Sequence, residues 1–228
     1  MEQAILEFQS VTGTTKKKNR FHLKEVSFSL LPGYIYAITG KNGAGKTTLM
    51  KCILEEKSRY SGTILYHGED IRNRHAKVME TVGFISEENT FFEERTARQN
   101  AGLLSLLYPN FDFGLFLQTM DTLKLPVSKT YKAMSRGERM KFQLAFAIAH
   151  HSTLYLLDEA TAGMDPVFRM EFFDLLRALI GDGLKCVLMT SHNETEIIKD
   201  TDYAAIMEDG ILTPFTESME GISYDKIR

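Results

Sequence analysis

Residues 34–47 read Tyr34-Ile-Tyr-Ala-Ile-Thr39 and then Gly40-Lys-Asn-Gly-Ala-Gly-Lys-Thr47. The first part has the short apolar character of a buried strand, and the second fits the pattern G-x-x-x-x-G-K-[ST]. Glycines at 40, 43 and 45 let the backbone turn tightly, so that N–H groups along Gly40, Asn42, Gly43, Ala44 and Gly45 point at phosphate oxygens. A helix starting near Lys46 presents its positive dipole end to the same anion. Lys46 is placed to reach β and γ phosphates, Thr47 to offer its hydroxyl to Mg²⁺, and Thr48 to reach the α phosphate. The stretch points to a nucleoside triphosphate.

Two downstream stretches extend the reading. Thr153-Leu-Tyr-Leu-Leu-Asp158-Glu159 is an apolar run ending in two acids, where the first acid supports Mg²⁺ and the second polarises an attacking water. Met189-Thr190-Ser191-His192 follows the apolar strand Cys186-Val-Leu-Met189. His192 is thereby expected at the strand ends where open α/β sheets bind ligands, within reach of the γ phosphate.

Around these motifs, 228 residues suit a single α/β core with an inserted subdomain. A net charge of −3 argues against nucleic acid as the main partner. Cys52 and Cys186 lack metal-type spacing and fit a reducing compartment. No apolar run approaches the roughly 20 residues that span a bilayer, and Met1-Glu-Gln-Ala does not open a signal peptide. If the protein works at a membrane, another chain is expected to supply the span.

Ala4–Phe8 and Leu23–Leu30 alternate as antiparallel strands joined by a basic loop containing Lys16-Lys17-Lys18 and Arg20. Ser61-Gly62 is expected to open a turn into a strand at Thr63–Tyr66, and Val82–Ser86 to form another strand. Residues 96–125 change to helical spacing (Leu103, Leu106, Leu107, Phe113, Phe116, Met120), broken by Pro109. A helix from Gly137 to His150 carries Met140, Leu144, Ala147 and Ile148 on one face, and strands then alternate with helices to about residue 213.

In this order the motifs resemble those of the ATP-binding cassette (ABC) ATPases, over about residues 3–212. The family signature, usually Leu-Ser-Gly-Gly-Gln, appears as Met134-Ser135-Arg136-Gly137-Glu138, and Ala162-Gly163-Met164-Asp165 is similar to the family's D-loop. The resemblance implies a P-loop NTPase fold of ABC type, with a mainly parallel core sheet and an antiparallel N-terminal β part (residues 1–88 and 135–228), and a helical subdomain at 89–134. It also implies that Ser135 and Gly137 bind the γ phosphate held by a facing subunit, that Asp165 links the two sites, and that Glu159, His192 and Lys46 serve catalysis. The chain would then act in a homodimer, or a heterodimer with a second ABC ATPase.

Departures from the family pattern carry their own expectations. Glu87, followed by Glu88, stands where the family has a glutamine that touches Mg²⁺; with Thr47 and Asp158 it is a candidate metal ligand, and its added negative charge is expected to weaken nucleotide affinity or steepen the Mg²⁺ dependence. No aromatic residue lies in 10–19 to stack on adenine, so Phe21 is the nearest candidate, and Ala160 replaces a proline. Arg136 and Glu138 are expected to pair with each other or with a facing subunit. The segments 107–112, 134–141 and 162–169 resemble the bacterial exporter branch, whose members partner with ABC-2-type transmembrane permeases and move antibiotics or amphipathic peptides such as bacitracin or phenol-soluble modulins. That resemblance implies a peripheral location on the cytoplasmic face of the membrane, reached only through the permease. Phe91, Phe92, Phe111, Phe113 and Phe116 are candidates for a coupling groove, with subdomain packing as the other reading. The alternative function is a soluble ABC ATPase of translation, assembly or DNA repair, against which stand the single cassette and the lack of a coiled-coil insertion.

Overall fold

The computed structural model describes residues 3–14, 23–87, 91–161, 164–193 and 198–218. In chain order, β1 (Leu6–Thr14), β2 (Val26–Leu30) and β3 (Ile35–Thr39) precede α1 (Lys46–Leu54), β4 (Arg59–Tyr66), β5 (Glu69–Asp70), α2 (His75–Met79) and β6 (Val82–Ser86). The helices α3 (Ala97–Leu104), α4 (Phe113–Thr122) and α5 (Arg136–Ala149) follow. The chain then alternates through β7 (Leu154–Asp158), α6 (Pro166–Ile180), β8 (Cys186–Ser191) and β9 (Tyr203–Glu208), and ends in the short β10 (Ile211–Leu212) and β11 (Thr216–Glu217).

Two sheets form among the described residues. One is antiparallel in the order β2-β1-β4-β5; the other runs β10-β9-β3-β8-β7-β6, parallel from β9 to β6, with β11 also pairing β9. The N-terminal strands pair as their alternation predicts, Leu6 opposite Leu30. The turn expected at Ser61-Gly62 is instead continuous strand within β4, with Gly62 facing a bulge in β1. The register of β4 against β1 shifts between Gln9 and Thr12, Ser10 takes φ 50° and Gly62 φ 85°. A Cβ on Gly62 would overlap the Ser10 carbonyl oxygen, so glycine is here for a close backbone approach within a strand.

Side-chain alternation sends the parallel strands to two cores. Tyr36 and Ile38 of β3, Leu154 and Leu156 of β7, and Cys186 and Leu188 of β8 join α1 and the antiparallel sheet in one cluster. Their sequence neighbours Ile35 and Ala37, Tyr155 and Leu157, Val187 and Met189 join α5 and α6 in another. Because both faces are covered, these strands read as continuous apolar runs.

Helix α5 has two working faces. Met140, Leu144 and Ala147 pack on the sheet, while Phe142, Ala145, Phe146 and Ala149 pack on Ala97, Ala101, Phe116 and Met120 of the inserted helices. This assigns most of the aromatic residues considered for a groove to packing. Phe116 is fully buried, Phe91 meets Phe142 edge-on at 4.8 Å, and Phe111 and Phe113 lie against the same cluster. Of the five, Phe92 alone is largely exposed, at 53%.

Candidate active site

The register of the parallel sheet decides what meets at its C-terminal edge. Thr39 pairs Ser191, Asp158 pairs Thr190, and Ser86 pairs Asp158. The loops carrying Gly40–Gly45, Glu87, Glu159 and His192 therefore leave the sheet side by side.

The phosphate-type loop is shaped by its glycines. Gly40, at φ 148°, passes so close to β9 that a Cβ would overlap the Met207 carbonyl oxygen, whereas Gly43, at φ 85°, faces open space. Ala44 closes the turn, its N–H donating to the Lys41 carbonyl at 3.1 Å and its own carbonyl accepting from Gly210 N–H at 2.8 Å. Gly45 precedes α1 at φ 120° with no side-chain cap, which leaves the first-turn N–H groups to the kind of anion that helix N-termini hold. Asn42 and Thr47 are exposed and Thr48 is half-buried.

Lys46 is 5% exposed and its Nζ holds three oxygens. It donates to the carbonyls of Gly40 at 2.5 Å and Lys41 at 3.2 Å, and pairs with Glu159 Oε1 at 3.2 Å. The other oxygen of Glu159 lies 2.6 Å from His192 Nδ1. Asp158 is held at both oxygens, accepting from the hydroxyls of Thr47 at 3.2 Å and Thr190 at 2.6 Å. Glu159 takes φ 51°, an uncommon backbone for a side-chain-bearing residue and a recurrent mark of functional sites. Its N–H donates to Thr190 Oγ1 at 3.2 Å.

Lys46, Thr47, Asp158, Glu159 and His192 thus come together as a connected set. Thr190, fully buried beneath them, was quoted in the sequence only as a neighbour of His192; a threonine in an otherwise apolar buried strand was the signal. Gln143 is a second such residue. From the middle of α5 its side-chain oxygen accepts from Ser86 N–H at 2.9 Å and its amide donates to the Ser86 carbonyl at 3.0 Å and to the Tyr131 hydroxyl at 3.1 Å. The clamp fixes the end of β6 just before Glu87.

The signature-like turn opens α5 with a capping box. Ser135 Oγ accepts from Glu138 N–H at 3.3 Å, and Ser135 N–H donates to Glu138 Oε2 at 2.8 Å. Gly137 sits tight against α6, since a Cβ there would come to 3.0 Å from the Phe168 ring and make that ring shift. Asp165 caps α6, accepting from Phe168 N–H at 2.9 Å. The expected Arg136–Glu138 pair is not what forms. Glu138 pairs with Lys129 at 2.7 Å, and Arg136 reaches the other way to an ion pair with Glu87 and toward the Glu159 carbonyl at 3.5 Å. Burial pushes the Glu138 carboxyl up, but Lys129 and the Ser135 donors outweigh it and hold it below the ordinary glutamate range.

Among the described residues no group of three or more His, Cys, Asp and Glu side chains is arranged to hold a metal. The Thr47 hydroxyl and Asp158 carboxylate, 3.2 Å apart beside the helix start, nevertheless fit Mg²⁺, which takes few protein oxygens and keeps waters and phosphates as its other ligands. Phe21, Glu88, Ala162 and Gly163 lie outside the described residues.

A family model described as ABC transporter matches residues 23–162. The chain is 32% identical to the ABC transporter ATP-binding protein YtrB of Bacillus subtilis (strain 168), over 84% of this chain and 65% of that one. It is 26% identical to the bacitracin transport ATP-binding protein BcrA of Bacillus licheniformis, over 89% and 65%. It is 28% identical to the methionine import ATP-binding protein MetN of Corynebacterium glutamicum, over 96% and 64%. The chain therefore spans 64 to 65% of the length of these curated relatives. Among solved structures, cbiO1 from Clostridium perfringens, part of the ABC transporter complex cbiONQ, has the same fold, with a TM-score of 0.83 at 20% identity over 99% of this chain and 93% of that one.

Proposed function

The chain belongs to the ABC transporter family, and on that premise we propose that it binds and hydrolyses ATP as the peripheral, cytoplasmic-face subunit of a bacterial membrane exporter. The observation that carries the reading is the linked run from Thr47 through Asp158 and from Lys46 through Glu159 to His192, at 2.6 to 3.2 Å. Among the described residues no helix is long and apolar enough to cross a membrane; the span belongs to a partner, an ABC-2-type permease.

Each residue then has a task. The loop from Gly40 to Gly45 cradles the phosphates with backbone N–H groups, and Lys46 exchanges its ties to Glu159 and the loop carbonyls for phosphate oxygens. Thr47 and Asp158 would hold Mg²⁺, which would supply charge neutralisation at the phosphates. Glu159 orients the attacking water, and His192, bonded to that carboxylate, steadies it and reaches the γ phosphate. Ser135 and Gly137 close the site of a facing copy or a second ABC ATPase across a head-to-tail pair, with Asp165 at the crossing. Residues 89–134 act as a hinged helical subdomain that relays closure to the permease, Glu87 marking one hinge. Antibiotics or amphipathic peptides are the proposed cargo, in line with the likeness to BcrA; nucleic acid is not an expected partner.

The test is Glu159→Gln beside Lys46→Ala. Glu159→Gln binds ATP, turns over at least about 100-fold more slowly, accumulates an ATP-bound dimer, and copurifies from membranes with a polytopic chain. Lys46→Ala loses ATP binding. Wild-type turnover in Glu159→Gln would remove that residue from the chemistry, and recovery of ribosomes or nucleic acid alone would remove the exporter.

A further inference from the structure

Arg136 stands where the family signature carries a glycine, and it is the first residue of α5. Its guanidinium joins two loops that leave adjacent parallel strands. It makes an ion pair with the Glu87 carboxylate just beyond β6 and approaches the main-chain carbonyl of Glu159 just beyond β7, at 3.5 Å. The backbone beneath both contacts is fixed. Gln143 clamps Ser86 on one side, and Thr190 holds Glu159 N–H on the other. The neighbouring acid of the signature does not compete, because Glu138 is held by Lys129.

We propose that Arg136 is a positioning residue for the nucleotide site of its own chain: it compensates the charge of Glu87 and ties the Glu87 loop to the Glu159 loop. This deepens, and rests on, the ATPase reading above. A carboxylate on the edge that receives a polyphosphate repels it by Coulomb's law. A guanidinium bonded to that carboxylate cancels the repulsion locally and fixes where the carboxylate points. The two departures from the family pattern therefore belong together. Glu87 is tolerated because Arg136 is present, and the penalty on nucleotide affinity expected from Glu87 alone is relieved.

The geometry implies a non-additive pair. Arg136→Gln keeps a good helix former at the start of α5 but frees the Glu87 charge. Glu87→Gln removes that charge, and the double variant has neither. Dissociation constants for a fluorescent ATP analogue, with and without Mg²⁺, are measured alongside KM and kcat, with thermal melting as the folding control. Arg136→Gln weakens binding and raises KM about three- to tenfold, most steeply at low Mg²⁺. In the Glu87→Gln background the same change alters both by less than about twofold, and Arg136→Lys recovers part of the loss. Because both side chains are part-exposed, raising the salt to about 1 M shrinks the difference. Equal effects of Arg136→Gln with and without Glu87, or an effect on melting alone, would overturn the pairing. Failure of the wild-type protein to bind the analogue at all would overturn the ATPase reading itself, a result distinct from additive variants of a protein that binds.

Discussion

Thr190→Val isolates a single hydroxyl that follows the apolar run 186–189 of β8. The hydroxyl is fully buried, donates to Asp158 Oδ1 at 2.6 Å and accepts from Glu159 N–H at 3.2 Å. Valine has nearly the same shape, so packing is conserved and the loss is polar. A hydrogen bond to a charged group is worth about 1.5–3 kcal/mol, and melting moves about 2–4 °C per kcal/mol in a chain of this size. We expect a loss of about 2 kcal/mol and about 4–8 °C. The second bond restrains Glu159 at φ 51°, a backbone that costs about 1–3 kcal/mol to hold. Losing about 2 kcal/mol of that positioning in the transition state lowers kcat about 30-fold, while ATP affinity, which the proposed function assigns to the loop and Lys46, changes less than about twofold. Calorimetry, steady-state ATPase rates and nucleotide titration read these separately, and Thr190→Ser, which keeps the hydroxyl, should behave as wild type. A Thr190→Val protein that melts within about 1 °C of wild type and hydrolyses ATP at the wild-type rate would refute the reasoning.

Other perturbations probe packing and titration. Phe116→Ala, at a fully buried position, should cost about 3–5 kcal/mol, against about 0.5 kcal/mol or less for Phe92→Ala at the surface; equal urea midpoints for the two would contradict the assignment of Phe116 to the cluster packed on α5. His150 is buried, stacked on Tyr108 at 4.2 Å, with Nδ1–H donating to the Glu80 carbonyl at 3.0 Å. Burial pushes its imidazole down to about 4. Since the unfolded chain takes up the proton near 6.5, stability from this group is full above that pH and falls toward pH 4, by about 2 kcal/mol between pH 8 and pH 5. Urea titrations at both pH values check this, and His150→Gln should lose that part of the slope; an unchanged slope would assign it to other groups.

The limits of sequence reading follow the range of each interaction. Gly40, Gly43 and Gly45 are written into the chain because their backbones demand glycine. The strand ends at Asp158 and His192 were legible for a related reason: a strand buried on both faces is an unbroken apolar run, and the first polar residues after it mark the sheet edge. Glycine itself was ambiguous at Gly62, where a turn and a strand crossing closely over a partner's bulge call for the same residue and only the pairing of β4 with β1 distinguishes them.

By itself, then, the sequence determined the glycine-rich loop after β3, the alternation that gives an α/β core, the helices between β6 and β7, and the acids at the strand end. These depend on backbone geometry and periodicity within a few residues. Tertiary structure alone decided that the Thr190 hydroxyl donates to Asp158, 32 residues away, that Gln143 reaches Ser86 across 57 residues, and that Arg136 turns to Glu87 rather than Glu138. Such partners are set by strand register and by how α5 lies on the sheet. A side chain with several acids in reach is assigned by the packing that brings one of them closest.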